Sequence, residues 1–234
     1  MKVIHWYFDF ISPYAWLQST QLDALRARAE VICTPVLFAG LLKHWGQKGP
    51  AEMATKRTYT YQQVAWYAQR EGLKLTWPAR HPFNPLPLLR LCAFLGNTPK
   101  VVDRLFAYVW RDGHLPDEPA AWNKLLDELG VNPSDLESAA VKDALRLNTE
   151  EALTKGVFGV PSAIVHSTQE SSTGTTLNSP ITSSPILWGF DSTPILHAWL
   201  DGDSFFESAE YLAASRVGVG VVRKSQSVLK HFFI

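Results

Sequence analysis

Cysteine is almost missing from this chain. Cys33 and Cys92 are the only two among 234 residues. They form no C-x-x-C pair and no metal-ligand spacing. Cys33 stands in an apolar strand-like run, and Cys92 in the helical run Leu88-Leu89-Arg90-Leu91-Cys92-Ala93-Phe94. Both read as buried free thiols, which points to a reducing compartment, the cytoplasm. An excess of either charge is also missing: 22 Lys and Arg balance 22 Asp and Glu, with no run of like sign. A nucleic-acid or membrane-surface partner therefore has no electrostatic footprint. No apolar stretch reaches the roughly 20 residues that a bilayer span needs. Met1-Lys2-Val3-Ile4-His5-Trp6 leads directly into strand-like sequence, so no signal or transit segment is expected. The seven histidines show no zinc spacing, so no metal site is expected. No glycine-rich phosphate loop is present, since Gly218-Val219-Gly220 is too slight a match.

The chain is rich in apolar side chains, 46% of the total, and it carries nine Trp. That composition suits a globular protein with a substantial core, either one large domain or one domain with an insertion. Residues 2–10 alternate and read as a strand. Ser12 is placed to cap a following helix, with Pro13 at its favoured first position. Apolar residues at Tyr14, Leu17, Leu22 and Leu25 carry that helix to about Ala29. Glu30 to Val36 reads as a second strand and closes a βαβ unit. From about 40 to 147 there is no strand run, and helices are predicted at roughly 51–71, 84–96, 98–112, 117–129 and 133–147. After a short helix near 148–155, strands return at Ser162 to His166 and at Ile186-Leu187-Trp188. A helix from Thr193 to Leu200 follows, and Ser208 to Ala214 forms another. The economical architecture is α/β: a thioredoxin-like domain, 1–38 with 148–222, carrying a large all-α insertion, 39–147, between its βαβ and ββα halves. The Ser/Thr-rich stretch 167–185 reads as a flexible hairpin loop, and 223–234 as a C-terminal tail.

Two distant segments carry the chemistry. In Asp9-Phe10-Ile11-Ser12-Pro13-Tyr14, a strand delivers a hydroxyl to a helix N-terminus. Ser12 is either a plain N-cap or a donor to a bound anion. Disulfide oxidoreductases of thioredoxin-like fold place C-x-x-C at this point, whereas here the four positions read Ser12-Pro13-Tyr14-Ala15. Dithiol exchange needs one sulfur to attack and one to resolve, so this site cannot perform it. A hydroxyl can instead donate to the thiolate of a bound thiol. No Gly-x-Ser-x-Gly surrounds Ser12, and no His partner is evident. In Gly156-Val157-Phe158-Gly159-Val160-Pro161-Ser162, Pro161 is either a trans residue opening an edge strand or the cis proline of a thioredoxin-like site. In the second case the Val160 backbone is free to pair with a peptide-like ligand as an added strand. Asp191, in Trp188-Gly189-Phe190-Asp191-Ser192, reads as a helix N-cap, a recognition group, or both. The segment Gly40 to Pro50 is dense in polar and aromatic residues and reads either as a solvated loop or as a segment that, with Lys56, turns Lys43 and Lys48 toward an anionic substrate. His81-Pro82-Phe83-Asn84-Pro85 reads as a rigid loop presenting His81 and Asn84.

With these motifs in this order, the chain resembles the 2-hydroxychromene-2-carboxylate isomerases, relatives of the kappa-class glutathione transferases within the DsbA-like group of thioredoxin folds. The resemblance spans nearly all of residues 2–222. It rests on Phe8 to Tyr14, Leu42 to Pro50, His81 to Pro85, Gly156 to Pro161 and Trp188 to Asp191. It implies a cytoplasmic enzyme of aromatic catabolism with glutathione as cofactor, a small aromatic carboxylate as substrate, and a homodimeric state. Ser12 matches the serine that holds the glutathione sulfur. Val160 and Pro161 match the step that pairs with its backbone. Trp188, Gly189, Phe190 and Asp191 match the segment that holds its γ-glutamyl end. Lys43, Gln47 and Asn84 fall where such enzymes contact substrate. The implied reaction converts 2-hydroxychromene-2-carboxylate to trans-o-hydroxybenzylidenepyruvate by reversible thiolate addition, ring opening, rotation and expulsion of glutathione. Phe190 and Ser192 depart from the polar and basic residues common there. A kappa-type transferase or peroxidase is the first alternative, and a non-catalytic thioredoxin-like binding module the second.

Overall fold

The first strand, β1 (Lys2–Phe8), alternates so that Ile4, Trp6 and Phe8 point to one face and Tyr7 to the other, and all four side chains are buried. Burial on both faces suits a central strand. In the computed structural model, which describes residues 2–167, 182–218 and 220, β1 lies at the middle of a mixed sheet. After it come α1 (Pro13–Ser19), α2 (Leu22–Arg26) and β2 (Glu30–Pro35), which pairs parallel to β1 from Val3↔Glu30 to Phe8↔Pro35. Six helices follow: α3 (Phe38–Trp45), α4 (Ala54–Arg70), α5 (Leu86–Phe94), α6 (Pro99–Phe106), α7 (Pro119–Leu129) and α8 (Ala139–Thr154). No strand lies between residues 36 and 161.

The chain returns to the sheet as β3 (Ser162–Ser167), antiparallel to β1 from Lys2↔Ser167 to Tyr7↔Ser162. Two short segments, β4 (Thr182–Ser183) and β5 (Leu187–Trp188), pair with the two ends of β3. Between them Pro185 has no N–H to give. Ser184 fills the gap, donating its N–H to the Val165 carbonyl at 2.8 Å while its Oγ accepts the Val165 N–H at 2.8 Å. A 3-10 turn, Phe190–Ser192, then leads into α9 (Thr193–Asp201). This is the expected α/β arrangement, βαβ then helices then ββα. One compact unit ends at Asp201, and a second begins at Gly202 with a 3-10 turn, Ser204–Glu207, and α10 (Ala209–Ala214). Most of the expected hairpin loop 167–185, and the expected tail 223–234, lie outside the described residues.

Apolar side chains pack on both faces of the sheet. On one, Trp6 and Phe8 stack at 4.5 Å, and Phe10 and Phe106, 4.7 Å from each other, lie 5.3 and 5.6 Å from Phe8, an arrangement of large apolar rings that dominates core burial. On the other, Tyr7, Val36, Leu41, Ala152, Val157, Val160 and Ile164 form a smaller cluster beneath α3 and α8.

Four expectations change. The first strand ends at Phe8, because Asp9 and Phe10 are taken into the turn that feeds α1. The helix expected to run to Ala29 breaks at Thr20-Gln21. There Ser19 Oγ donates to the Trp16 carbonyl at 2.7 Å and Thr20 Oγ1 to that of Leu17 at 2.8 Å, and such bonds compete with the helical ladder. The expected loop at 40–50 holds the helix α3, closed by Gly46 at φ 63°, a left-handed C-cap with the Gln47 N–H reaching the Leu42 carbonyl at 2.9 Å. The helices expected at 133–147 and 148–155 are a 3-10 turn, Pro133–Glu137, followed by the single helix α8. Within that helix Thr149 Oγ1 donates to the Leu145 carbonyl at 2.9 Å, and it also accepts the Leu37 N–H at 3.0 Å.

Candidate active site

The turn from Asp9 to Ser12 has its backbone oxygens pinned one by one. The Asp9 carbonyl accepts the Ser12 N–H at 3.0 Å. The Phe10 carbonyl accepts the Trp110 indole N–H at 3.0 Å. Trp110 reaches it from a π-type turn, Ala107–Arg111, that follows α6. The Ile11 carbonyl lies 2.8 Å from His81 Nε2. A carbonyl only accepts, so Nε2 carries a proton. Burial lowers the pKa of His81. The neutral ring then leaves Nδ1 to accept from the Tyr61 hydroxyl, 2.7 Å away. The Asp9 carboxyl is fully buried. It accepts the Ile11 N–H at 3.1 Å and the Phe38 N–H, at the start of α3, at 2.9 Å. Burial pushes its pKa up to about 7, against the pull of N–H bonds from Phe38, Ile11 and Phe10.

This turn delivers Ser12 to the N-cap of α1 with φ −89° and ψ 114°. Its Oγ accepts the Ala15 N–H at 3.2 Å, and its hydroxyl points at the Val160 carbonyl across 3.3 Å. That second contact is long, so the proton is easily redirected to a better acceptor. Because α1 has only seven residues, direct donors at its start matter more for an anion than its macrodipole.

Opposite Ser12, the Val160–Pro161 peptide bond is cis. The Val160 N–H has no hydrogen-bond partner among the described residues. The Pro161 carbonyl accepts the Gly189 N–H at 2.9 Å, which ties Trp188–Asp191 to this loop. Trp188 is 53% exposed, has its ring tilted against Phe158 at 5.3 Å and lies over Gly159, where an added Cβ would come within 2.5 Å of the indole nitrogen. Gly189 has φ 91°, a conformation that favours glycine. Phe190 turns inward against the ring of Tyr67 at 4.9 Å, so only its backbone can face a ligand. Asp191 makes no capping bond. The N-cap of its 3-10 turn is Gly189, and the Asp191 carboxylate is exposed with no hydrogen-bond partner among the described residues.

Ser12, Val160, Pro161 and Gly189 are thus brought together. Lys43 and Gln47 sit exposed on and just after α3, whose first turn is held by Asp9. Asn84 is partly committed: its Oδ1 accepts the Leu86 N–H at 3.1 Å at the start of α5, leaving the amide N–H groups. A group of rings adjoins the Ile11 carbonyl, with Tyr61 5.0 Å from Trp77 and His81 5.6 Å from Trp110.

Sequence reasoning missed Gln18 and the roles of Asp9, Tyr61 and Trp110. Gln18 is buried in α1 and bonds to Trp6, Gly189 and Thr193. Nothing local marks it out, because a lone Gln in a helix is usually a surface residue. Among the described residues no group of three His, Cys, Asp or Glu could hold a metal ion. No helix among them is long and apolar enough to cross a membrane. Cys33 and Cys92 are free and buried, and burial raises both thiol pKa values.

The family described as DSBA-like thioredoxin domain matches residues 3–198. The chain is 27% identical over 188 residues to glutathione S-transferase kappa 2 of Caenorhabditis elegans, spanning 68% of this chain and 79% of the relative. It is 25% identical over 168 residues to a 2-hydroxychromene-2-carboxylate isomerase of Pseudomonas sp. (strain C18), with the same two shares. Among solved structures it is similar in fold to a 2-hydroxychromene-2-carboxylate isomerase, with a TM-score of 0.66 at 21% identity, covering 89% of this chain and 98% of the other.

Proposed function

The chain belongs to the DSBA-like thioredoxin domain family, and from that premise we propose that it is a glutathione-dependent isomerase acting on 2-hydroxychromene-2-carboxylate or a closely similar aromatic carboxylate. The observation that carries the reading is the pairing of Ser12 with an unpartnered Val160 N–H, with no cysteine beside either. The residues present fit glutathione. The Val160 N–H suits the carbonyl of a cysteinyl residue, Ser12 suits its sulfur, and the exposed Asp191 carboxylate suits the ammonium of a γ-glutamyl group. Bound there, glutathione would supply a thiolate nucleophile that is returned at the end of each cycle.

The chain's own part is to bind, orient and shield. Ser12 turns its hydroxyl from the Val160 carbonyl toward the sulfur and lowers the thiol pKa by favouring the charged form. Lys43 holds the substrate carboxylate, and Gln47 and the free amide N–H groups of Asn84 offer further donors. The rings of Tyr61, Trp77 and His81 form an apolar wall for a planar substrate. A cytoplasmic setting is supported by the two buried free thiols. Homodimerisation and a place in aromatic catabolism belong to the same reading.

Relatives named as kappa transferases support a second reading, in which glutathione is consumed by conjugation. The same cradle would serve, and the electrophile decides. Calorimetric titration with glutathione, on the wild type and on Ser12→Ala, tests what the two readings share. Binding by the wild type, with a higher bound-thiol pKa in Ser12→Ala, supports them, and assays of isomerisation against conjugation then separate the two. No binding to the folded wild type removes both.

A further inference from the structure

Gln18 joins three segments that a glutathione site would need in register. Its Oε1 accepts the indole N–H of Trp6, on β1, at 2.7 Å. Its Nε2 donates to the Gly189 carbonyl at 3.3 Å and to Thr193 Oγ1, at the start of α9, at 3.1 Å. The orientation of the amide is fixed by chemistry. The indole N–H can only donate, so it must face the oxygen, and a flipped amide would set N–H against N–H and oxygen against oxygen. The whole side chain is buried, where an unmet partner is costly.

Gly189 is consequently held from two sides. Its N–H is bound to the Pro161 carbonyl, and its carbonyl receives Gln18 Nε2 and the hydroxyl of Ser192. The carboxylate of Asp191, two residues on, has no hydrogen-bond partner among the described residues, so its position follows from the backbone that Gly189 anchors. Gln18 lies on the same helix whose first residue follows Ser12. The spacing between the Ser12 hydroxyl and the Asp191 carboxylate therefore rests on two links to Gly189, the Pro161 carbonyl on one side and the buried Gln18 amide on the other.

We propose that Gln18 is a positioning residue that sets the γ-glutamyl-binding segment Gly189–Asp191 at the correct distance from the Ser12 cradle. This rests on the glutathione reading above. It makes Gln18 a determinant of selectivity for the whole tripeptide over its cysteinylglycine part, without touching either.

The test compares two ligands on three proteins. Glutathione and cysteinylglycine are titrated by calorimetry into the wild type, into Gln18→Glu, and into the double variant Trp6→Phe with Gln18→Met. Gln18→Glu keeps an acceptor for Trp6 but replaces two amide N–H donors by at most one hydroxyl proton, so the Gly189 carbonyl and Thr193 Oγ1 can no longer both be served. The double variant removes the Trp6 donor with its acceptor, while the Gly189 carbonyl keeps Ser192 and Thr193 Oγ1 keeps its bond to the Phe190 carbonyl, so no buried group is left unpaired even if Gln18→Glu folds poorly. The expected result is a loss of about tenfold in glutathione affinity, equivalent to one lost hydrogen bond of fit, with cysteinylglycine affinity changed by less than about twofold. Equal losses for both ligands, or no loss for either, overturn the proposal, because a merely structural role would not divide the tripeptide. Failure of the wild type to bind glutathione overturns the functional reading first, and the proposal with it.

Discussion

Replacing Asp9 by Asn should change how stability depends on pH. The carboxyl is fully buried beneath the Ser12 turn, and its pKa is pushed from 3.8 up to about 7. Between those values the folded chain keeps a proton that the unfolded chain has released, so raising the pH favours unfolding. The stabilising difference is fully present below 3.8 and is lost as the pH rises through about 7. At about 1.4 kcal/mol per pH unit, the interval amounts to about 4 kcal/mol, of which roughly 3 kcal/mol falls between pH 5 and 7. An Asn at this position does not titrate. Its single oxygen can accept from only one of the Ile11 and Phe38 N–H groups, which costs about 1–3 kcal/mol at every pH. Asp9→Asn should therefore be the less stable protein at pH 5, with the gap closing or reversing by pH 8. Urea unfolding of both proteins at fixed ionic strength measures this directly, because other titrating groups cancel in the difference. A gap that stays constant from pH 5 to 8 would mean that the two backbone donors outweigh burial and keep Asp9 ionised throughout.

Trp110→Phe should lower stability by about 2–4 kcal/mol, since it strips the Phe10 carbonyl of its donor and leaves space in the core; equilibrium unfolding measures it. Gly159→Ala places a Cβ 2.5 Å from the Trp188 indole nitrogen. Trp188 is exposed enough to swing aside, so stability should change by less than about 1 kcal/mol while glutathione affinity falls, which calorimetry would detect. Cys33 and Cys92 should resist a thiol reagent in the native state and react together on unfolding, because both are buried with raised thiol pKa values. The protein should not reduce insulin, and clear reduction would overturn the reading of Ser12-Pro13-Tyr14-Ala15 as a non-redox site.

The sheet and the start of α1 were legible because their signals are local. Alternation with period two marks β1 and β3, and a Ser-Pro pair after a strand marks a helix N-terminus. The segment Gly40 to Pro50 misled for an equally local reason. Its glycines, lysines and aromatics look like a loop, but only its second half is one: α3 ends where Gly46 adopts φ 63°. Asp9 was legible as part of a motif but not as a buried acid. Its burial depends on Phe38 arriving from a helix 29 positions later. Gln18 was invisible for the same kind of reason, since its partners lie up to 175 positions away. Pattern reading finds what neighbours in sequence decide, whereas the rigidity of this site is decided by contacts across the fold.

The same distinction bears on how such a scaffold can hold a thiol without owning one at the site. An enzyme that exchanges disulfides needs a reactive sulfur on its helix and a second to resolve it. Here the helix offers a hydroxyl whose proton rests on a long 3.3 Å contact with the Val160 carbonyl, while the turn behind it is fixed by Trp110, His81 and Asp9. The surroundings are rigid and the hydroxyl proton is loosely held. A rigid frame keeps the donors aimed where the charge of a thiolate will sit, at little reorganisation cost when it arrives. A weak ground-state contact means that little is lost when the proton turns toward sulfur. Ser12→Thr would crowd this hydroxyl, whereas Ser12→Cys would restore a sulfur with no resolving partner at Ala15. Ser12→Cys should therefore attack a small disulfide such as oxidised glutathione, release one thiol, and stall as the mixed disulfide, a state that mass spectrometry of the intact protein would reveal. Rapid, catalytic release of that disulfide would contradict the assignment of Ser12 as a donor in a site with no second reacting group.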